Sequence, residues 1–187
     1  MNIQGWMSQS ELMWLQTMSK SMPSNSLIVE VGTWKGRSTA AICNALNKKS
    51  TFVTIDTWLG NSNLFIYQNS SASLVTDIFL EFLDNMKLLG HNFKWYKKNT
   101  FGLFYLRMKS VEAAKLFDDK SIDWLFLDGN HTEADKDCDA WGVKIKSGGV
   151  ISGHDFTNDF IKLTTDVKQR YPNLSVATNT GIWYSTI

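Results

Sequence analysis

The chain has little of what marks several large functional classes. Among its 187 residues stand only two cysteines, Cys43 and Cys138, both within helical patterns and without C-x-x-C spacing or a paired His/Cys cluster. That pattern supports neither a zinc site nor a disulfide framework. An excess of one charge is missing as well. Nineteen Lys and Arg face eighteen Asp and Glu, a formal charge of +1, which removes the global electrostatic case for a nucleic-acid or anionic-membrane partner. No apolar run approaches transmembrane length. The residues through Met22 lack the basic start, uninterrupted apolar stretch and small-residue cleavage site of a signal peptide, so a reducing cytoplasm is the expected location. There is no internal repeat, linker or low-complexity tract. With 43% hydrophobic residues, residues 1–187 are expected to form one domain around one core.

What is present alternates. Helical spacing of Leu12, Trp14, Leu15 and Met18, with Ser8 and Glu11 in the form of a capping box, predicts a flanking helix within residues 1–22. It is read first as a lid or flank beside the ligand turn, and second as a dimer-forming element. Strands are expected near 26–32, 50–56, 103–108, 122–128, 149–154, 174–178 and 182–187. Helices are expected near 9–21, 36–47, 72–89, 110–117, 132–146 and 159–170. This is the α/β pattern of a mostly parallel sheet with crossover helices. Residues 57–73, rich in Asn and Ser and without a clear period, form a candidate loop over the site. The basic-aromatic run Lys94-Trp95-Tyr96-Lys97-Lys98 reads as a solvated edge or loop in a chain this neutral.

The segment Leu27-Ile28-Val29-Glu30-Val31-Gly32-Thr33-Trp34-Lys35-Gly36-Arg37-Ser38 is an apolar run that ends on an acid and a glycine and opens into a helix. Ligands sit at such strand–turn–helix junctions, where backbone N–H groups and the helix dipole converge. A dinucleotide fingerprint would place glycine where Trp34 and Arg37 stand, and a P-loop would carry a lysine before Ser38. The remaining reading is a less anionic ligand. Its amino-acid end would meet Glu30 and the turn, and its ribose would meet Asp56, which closes Thr51-Phe52-Val53-Thr54-Ile55.

Here the chain resembles the class I S-adenosylmethionine (SAM)-dependent methyltransferases. The likeness continues through Arg107–Ala114, through Ser121-Ile122-Asp123-Trp124-Leu125-Phe126-Leu127-Asp128-Gly129-Asn130-His131, and through Trp141 to Gly148-Gly149-Val150-Ile151-Ser152-Gly153-His154-Asp155. The D-G-x-H and G-G-x-x-x-G-H-D elements look like the small-molecule O-methyltransferase branch, the methyltransferase 24-like family, over roughly residues 26 to 156. The resemblance implies a Rossmann-like, doubly wound sheet of seven strands, with helices on both faces and the last strand antiparallel. It places the amino-acid end of SAM near Glu30, Gly32, Thr33, Trp34, Gly36 and Ser38. The ribose and adenine then fall near Asp56, Thr57, Trp58, Ser110, Val111 and Asp128. Some of these positions keep two readings: Ser38 as carboxylate ligand or capping hydroxyl, Trp34 as core or cofactor packing, Ser110 as adenine contact or N-cap.

Asp128 and Asp155 each end an expected central strand. In the resembled enzymes acids at these places hold a magnesium ion that positions a hydroxyl and lowers its pKa. His154 departs from that pattern, because imidazole is a poor magnesium partner. His131, three residues after Asp128, is open to two roles: general base, or a structural histidine that fixes the Asp128 loop. The expected reaction is in-line methyl transfer from SAM to an oxygen of a sugar, phenol or small polyketide, with proton removal assigned to His131, Asp128 and His154 and, through a metal, Asp155. Only Pro23 and Pro172 occur, which excludes the Asp/Asn-Pro-Pro-Tyr segment of DNA amino-methyltransferases. The rival readings are a nucleotide-dependent oxidoreductase and a non-catalytic ligand-binding relative.

Overall fold

The structure, a computed structural model, describes residues 3–60 and 77–187. Helix α1 (Gln9–Ser21) begins on the expected capping box: Ser8 accepts from the Glu11 amide, and the Glu11 carboxylate accepts from the Ser8 amide. Strand β1 (Leu27–Val31) leads through the Gly32–Gly36 turn into α2 (Arg37–Ala45), and β2 (Thr51–Asp56) follows. After α3 (Ile78–Leu88) come β3 (Lys94–Trp95), β4 (Gly102–Arg107), α4 (Ser110–Ala114) and β5 (Ile122–Leu127). A 3-10 turn (His131–Glu133) runs into α5 (Ala134–Gly142), then β6 (Ile145–Gly153), α6 (Ile161–Arg170), β7 (Ser175–Val176) and β8 (Trp183–Thr186).

These strands form one sheet in the order β3-β4-β2-β1-β5-β6-β8-β7. All ladders from β3 to β6 are parallel, and β8, the last strand, runs antiparallel to both neighbours. Among the described residues the sheet thus has eight strands where seven were expected. The added one is β3, whose two residues pair with Phe104 and Tyr105 and are both exposed. A two-residue exposed edge carries no alternation to read. Residues 61–73 of the expected loop, and residues 72–76 of the expected helix 72–89, lie outside the described residues.

The central strands read as apolar runs because both faces are covered. Val29, Val31, Val53, Ile55, Leu125 and Ile151 point to one face, into a core shared with Ala113, Trp141, Leu163 and Val167 of α4, α5 and α6. Ile28, Phe52, Trp124 and Phe126 point to the other, against Leu15 of α1 and Ile42 of α2. A third cluster, Ala40, Trp58, Phe82 and Met86, seats α3 beside α2. Cys43 and Cys138 are buried and free, and burial pushes the Cys138 thiol up to about 12. Among the described residues no helix is long and apolar enough to cross a membrane.

From β1 the chain winds to β2 and β4 on one side and returns to β5 on the other. The carboxyl ends of β1 and β5 therefore flank the point where the winding reverses, and an α/β sheet opens a crevice there.

Candidate cofactor and active site

The glycine turn is built against the end of β5. Gly32 has φ +91°, and a side chain there would place its Cβ 2.0 Å from the carbonyl oxygen of Asp128, so only glycine lets the two strand ends meet. Trp34 also sits at positive φ, +46°, which costs a non-glycine residue energy and persists only where surroundings hold it. Asp56 supplies that hold. Its Oδ2 accepts from the Thr33 amide at 2.9 Å and the Trp34 amide at 2.8 Å, and its Oδ1 accepts from the Trp58 amide at 2.8 Å. A carboxylate has about four acceptor sites, so roughly one remains for a ribose hydroxyl. Gly36 caps α2 without a side-chain hydrogen bond, and a helix N-terminus favours an anionic group such as a ligand carboxylate.

Glu30 lies under this turn and not in it. It is 0% exposed, and its Oε2 accepts from Thr39 Oγ1 of α2 at 2.5 Å and Thr54 Oγ1 of β2 at 2.6 Å. Thr54 in turn bonds the Thr33 hydroxyl. The expected direct contact between Glu30 and the ligand's amino-acid end is corrected by this burial: the acid braces strand, helix and turn from below. Burial pushes its carboxyl up to about 7, against the lowering influence of the Ser38, Thr39 and Thr54 hydroxyls nearby. Its Oε1 makes no hydrogen bond of good geometry among the described residues.

The other expected cofactor residues divide. Ser38 and Thr33 are buried. Trp58 packs on Phe79 and Phe82 and donates its indole N–H to the Trp34 carbonyl, so it is core and not wall. Thr57, half-buried, follows Asp56, and its carbonyl accepts from Arg107. Ser110 is the first residue of α4, with Lys109 as its N-cap, and its hydroxyl accepts from Trp141 Nε1 at 2.9 Å. Beside it Val111 is half-buried. Trp34 packs on Trp6 with the rings tilted, centroids 4.5 Å apart. The N-terminal segment that carries Trp6 is tied down by Arg37, which donates to the carbonyls of Ile3 and Met7. Residues 3–7 therefore pack beside the turn.

Four predicted residues converge at the ends of β5 and β6. His131 Nε2 meets Asp155 Oδ2 at 2.8 Å, and the His131 ring packs on Phe160 at 4.5 Å. The Asp155 hydrogen bond raises the His131 pKa, against a smaller effect of burial. His154 is buried, its Nδ1 3.4 Å from Asp128 Oδ1 and 3.3 Å from Asp155 Oδ1. Burial opposes its charge, but the Asp128 and Asp155 carboxylates prevail and push the imidazolium up to about 11. Asp128 is raised by burial. Burial also acts to raise Asp155, yet His131 and His154 hold its carboxyl well below the usual carboxylate range. Asp155 stands at φ +57°, a conformation these contacts hold in place.

Sequence reasoning missed Glu11. Its Oε2 serves the capping box, while its Oε1 accepts from the Gly181 amide at 2.9 Å and meets His154 Nε2 at 3.1 Å. The signal was present in part, since a capping box uses one carboxylate oxygen and leaves the other available. Both ring nitrogens of His154 thus face carboxylates, an arrangement that opposes its expected catalytic role. Asp137 of α5, buried beside Gly129 and Ser110, is also new. Burial raises its carboxyl to about 6.

Asp128, His131 and Asp155 offer ligand atoms within 4.8 Å of one another. Magnesium does not fit this donor set. Imidazole nitrogens lie among the carboxylates, and both oxygens of Asp155 are already engaged by histidines.

Solved structures share the fold at low identity. An O-methyltransferase from Bacillus cereus in complex with S-adenosylhomocysteine (SAH) is 15% identical, with a TM-score of 0.64 over 97% of this chain and 83% of that one. A SAM-dependent O-methyltransferase from Thermotoga maritima is 14% identical, with a TM-score of 0.67 over 98% and 66%. An SAH-bound methyltransferase from Podospora anserina is 12% identical, with a TM-score of 0.66 over 96% and 78%. No curated protein matches the sequence. Residues 29–156, from the middle of β1 to just beyond Asp155, match the methyltransferase 24 family model, described as Methyltransferase domain, and the chain belongs to that family.

Proposed function

We propose that this chain transfers the methyl group of SAM to a hydroxyl oxygen of a small molecule, with His131 as general base. The observation that carries the oxygen assignment is the His131–Asp155 pair at the β5 and β6 ends. An amine acceptor needs only its neutral form, whereas a hydroxyl must lose a proton whose pKa is far above neutrality. When Nε2 of neutral His131 donates to Asp155 Oδ2, Nδ1 is the ring's proton acceptor. Asp155 fixes that tautomer and stabilises the imidazolium that forms, the arrangement of a base oriented by an acid. Phe160 limits the ring's rotation.

Three features support SAM as the cofactor. They are the spare acceptor site on Asp56, the uncapped N-terminus of α2, and a turn whose Trp34 does not suit a pyrophosphate. Bound there, SAM supplies an already activated methyl group on its sulfonium. The protein's own work is to align the acceptor oxygen and to take its proton. The test is a panel of phenols, sugars and polyketide alcohols incubated with methyl-labelled SAM, with the product's methyl position read by mass spectrometry and NMR. An O-methyl product supports the reading, and labelled nitrogen alone overturns the oxygen assignment.

A further inference from the structure

Three carboxylates from separate elements converge on one buried ring. Glu11 comes from α1, Asp128 from the end of β5 and Asp155 from the end of β6, with carboxylate oxygens 3.1, 3.4 and 3.3 Å from the His154 ring nitrogens. An ionised carboxylate only accepts hydrogen bonds. Both nitrogens must therefore carry hydrogens to satisfy the oxygens they face, and a ring with both hydrogens is a cation. Three gathered acids without a counter-charge would repel one another in a partly dry site. We infer that His154 is a fixed internal cation, occupying the space between Asp128 and Asp155 in which a divalent ion would otherwise balance their charge. It is a positioning residue. It holds Oδ1 of Asp155, so that Oδ2 stays aimed at His131. The site then needs no metal ion, whichever acceptor the enzyme uses.

The test follows Mn2+ by electron paramagnetic resonance, with a thermal melt alongside. It uses chelator-stripped wild type, His154→Gln, and His154→Gln combined with Asp128→Asn. Wild type should show no stoichiometric Mn2+ site below about 1 mM and no change in Tm on adding the ion. In His154→Gln the carboxylates lose their counter-charge. Tm should fall, Mn2+ should bind at least about tenfold tighter than to wild type, and the ion should restore much of the lost Tm. Adding Asp128→Asn should recover Tm without metal and abolish the new Mn2+ site. If His154→Gln does not fold alone, recovery of folding by Mn2+ or by Asp128→Asn gives the same support, and recovery by neither overturns the inference. It is also overturned by a wild-type Mn2+ site tighter than about 0.1 mM that Asp155→Asn removes, or by a folded His154→Gln that gains no Mn2+ affinity.

Discussion

Glu30→Gln should change how stability depends on pH more than it changes stability itself. Glu30 is wholly buried in β1, and burial moves its carboxyl from 4.5 to about 7. The folded state thus holds the proton more tightly than the unfolded chain. The stability linked to that proton is fully present below about pH 4.5, drains away as pH rises and is lost once pH passes about 7. At about 1.4 kcal/mol per pKa unit, the shift is worth about 3 kcal/mol. Gln has no proton to lose. His131 and His154, both raised above 6.5, also lose stabilising protons as pH climbs, so wild-type stability alone cannot isolate Glu30. The mutant-minus-wild-type difference can, because the histidines contribute to both proteins. Urea unfolding without cofactor at intervals from pH 4.5 to 8.5 should show that difference moving in favour of Gln by about 3 kcal/mol, with most of the change between pH 5 and 7. A difference flat to within about 0.5 kcal/mol would show that Glu30 ionises normally and that the threonines, not the dry surroundings, set its state.

Asp56→Asn replaces an acceptor-only group that receives three backbone N–H bonds, so calorimetry should show SAH binding weakened by roughly 10- to 100-fold, at about 1.5–3 kcal/mol per charge-assisted bond. Unchanged affinity would remove Asp56 from the cofactor site. Gly32→Ala forces a Cβ into the Asp128 carbonyl and should cost at least about 3 kcal/mol in urea unfolding; a loss under about 1 kcal/mol would mean the β1 and β5 ends can separate. With a confirmed acceptor, His131→Ala should reduce turnover by roughly 10²–10⁴-fold while SAH still binds. The wild-type rate should rise with pH through a midpoint above 6.5, the direction in which Asp155 shifts His131. A rate independent of pH between 6 and 9 would assign the His131–Asp155 pair to structure alone.

The parts of the site legible in the sequence are those set by backbone geometry at strand ends. Central parallel strands must be apolar on both faces, so an acid or glycine closing such a run, as at Gly32, Asp56 and Asp128, marks the crevice directly. Strand β3 escaped because two exposed residues show no period. Glu30 reads in the sequence as facing the ligand, whereas in the fold it is buried against Thr39 and Thr54. An acid one residue before the end of a strand reads as ligand-facing until the positions of Thr39 and Thr54 show which side it points to. Glu11 was legible only as a cap, since nothing local in the sequence brings α1 to residues 154 and 181.

The two histidines show why residue type and position do not fix chemistry. Both follow the ends of adjacent strands, and both sit beside acids. His131 meets one carboxylate through one nitrogen and remains a third exposed, so its pKa rises but its second nitrogen stays available to a proton. His154 meets three carboxylates through both nitrogens and is nearly sealed from water. Burial alone would make it neutral, and the carboxylates reverse that sign. The number of facing acids, which only the folded chain reveals, divides a proton acceptor from a permanent charge. Because Asp155 is shared by the two rings, its Oδ1 on His154 and its Oδ2 on His131, a charge on His154 helps orient His131. A change at Glu11 on the N-terminal helix should therefore reach His131 through His154 and Asp155, without any direct contact between them.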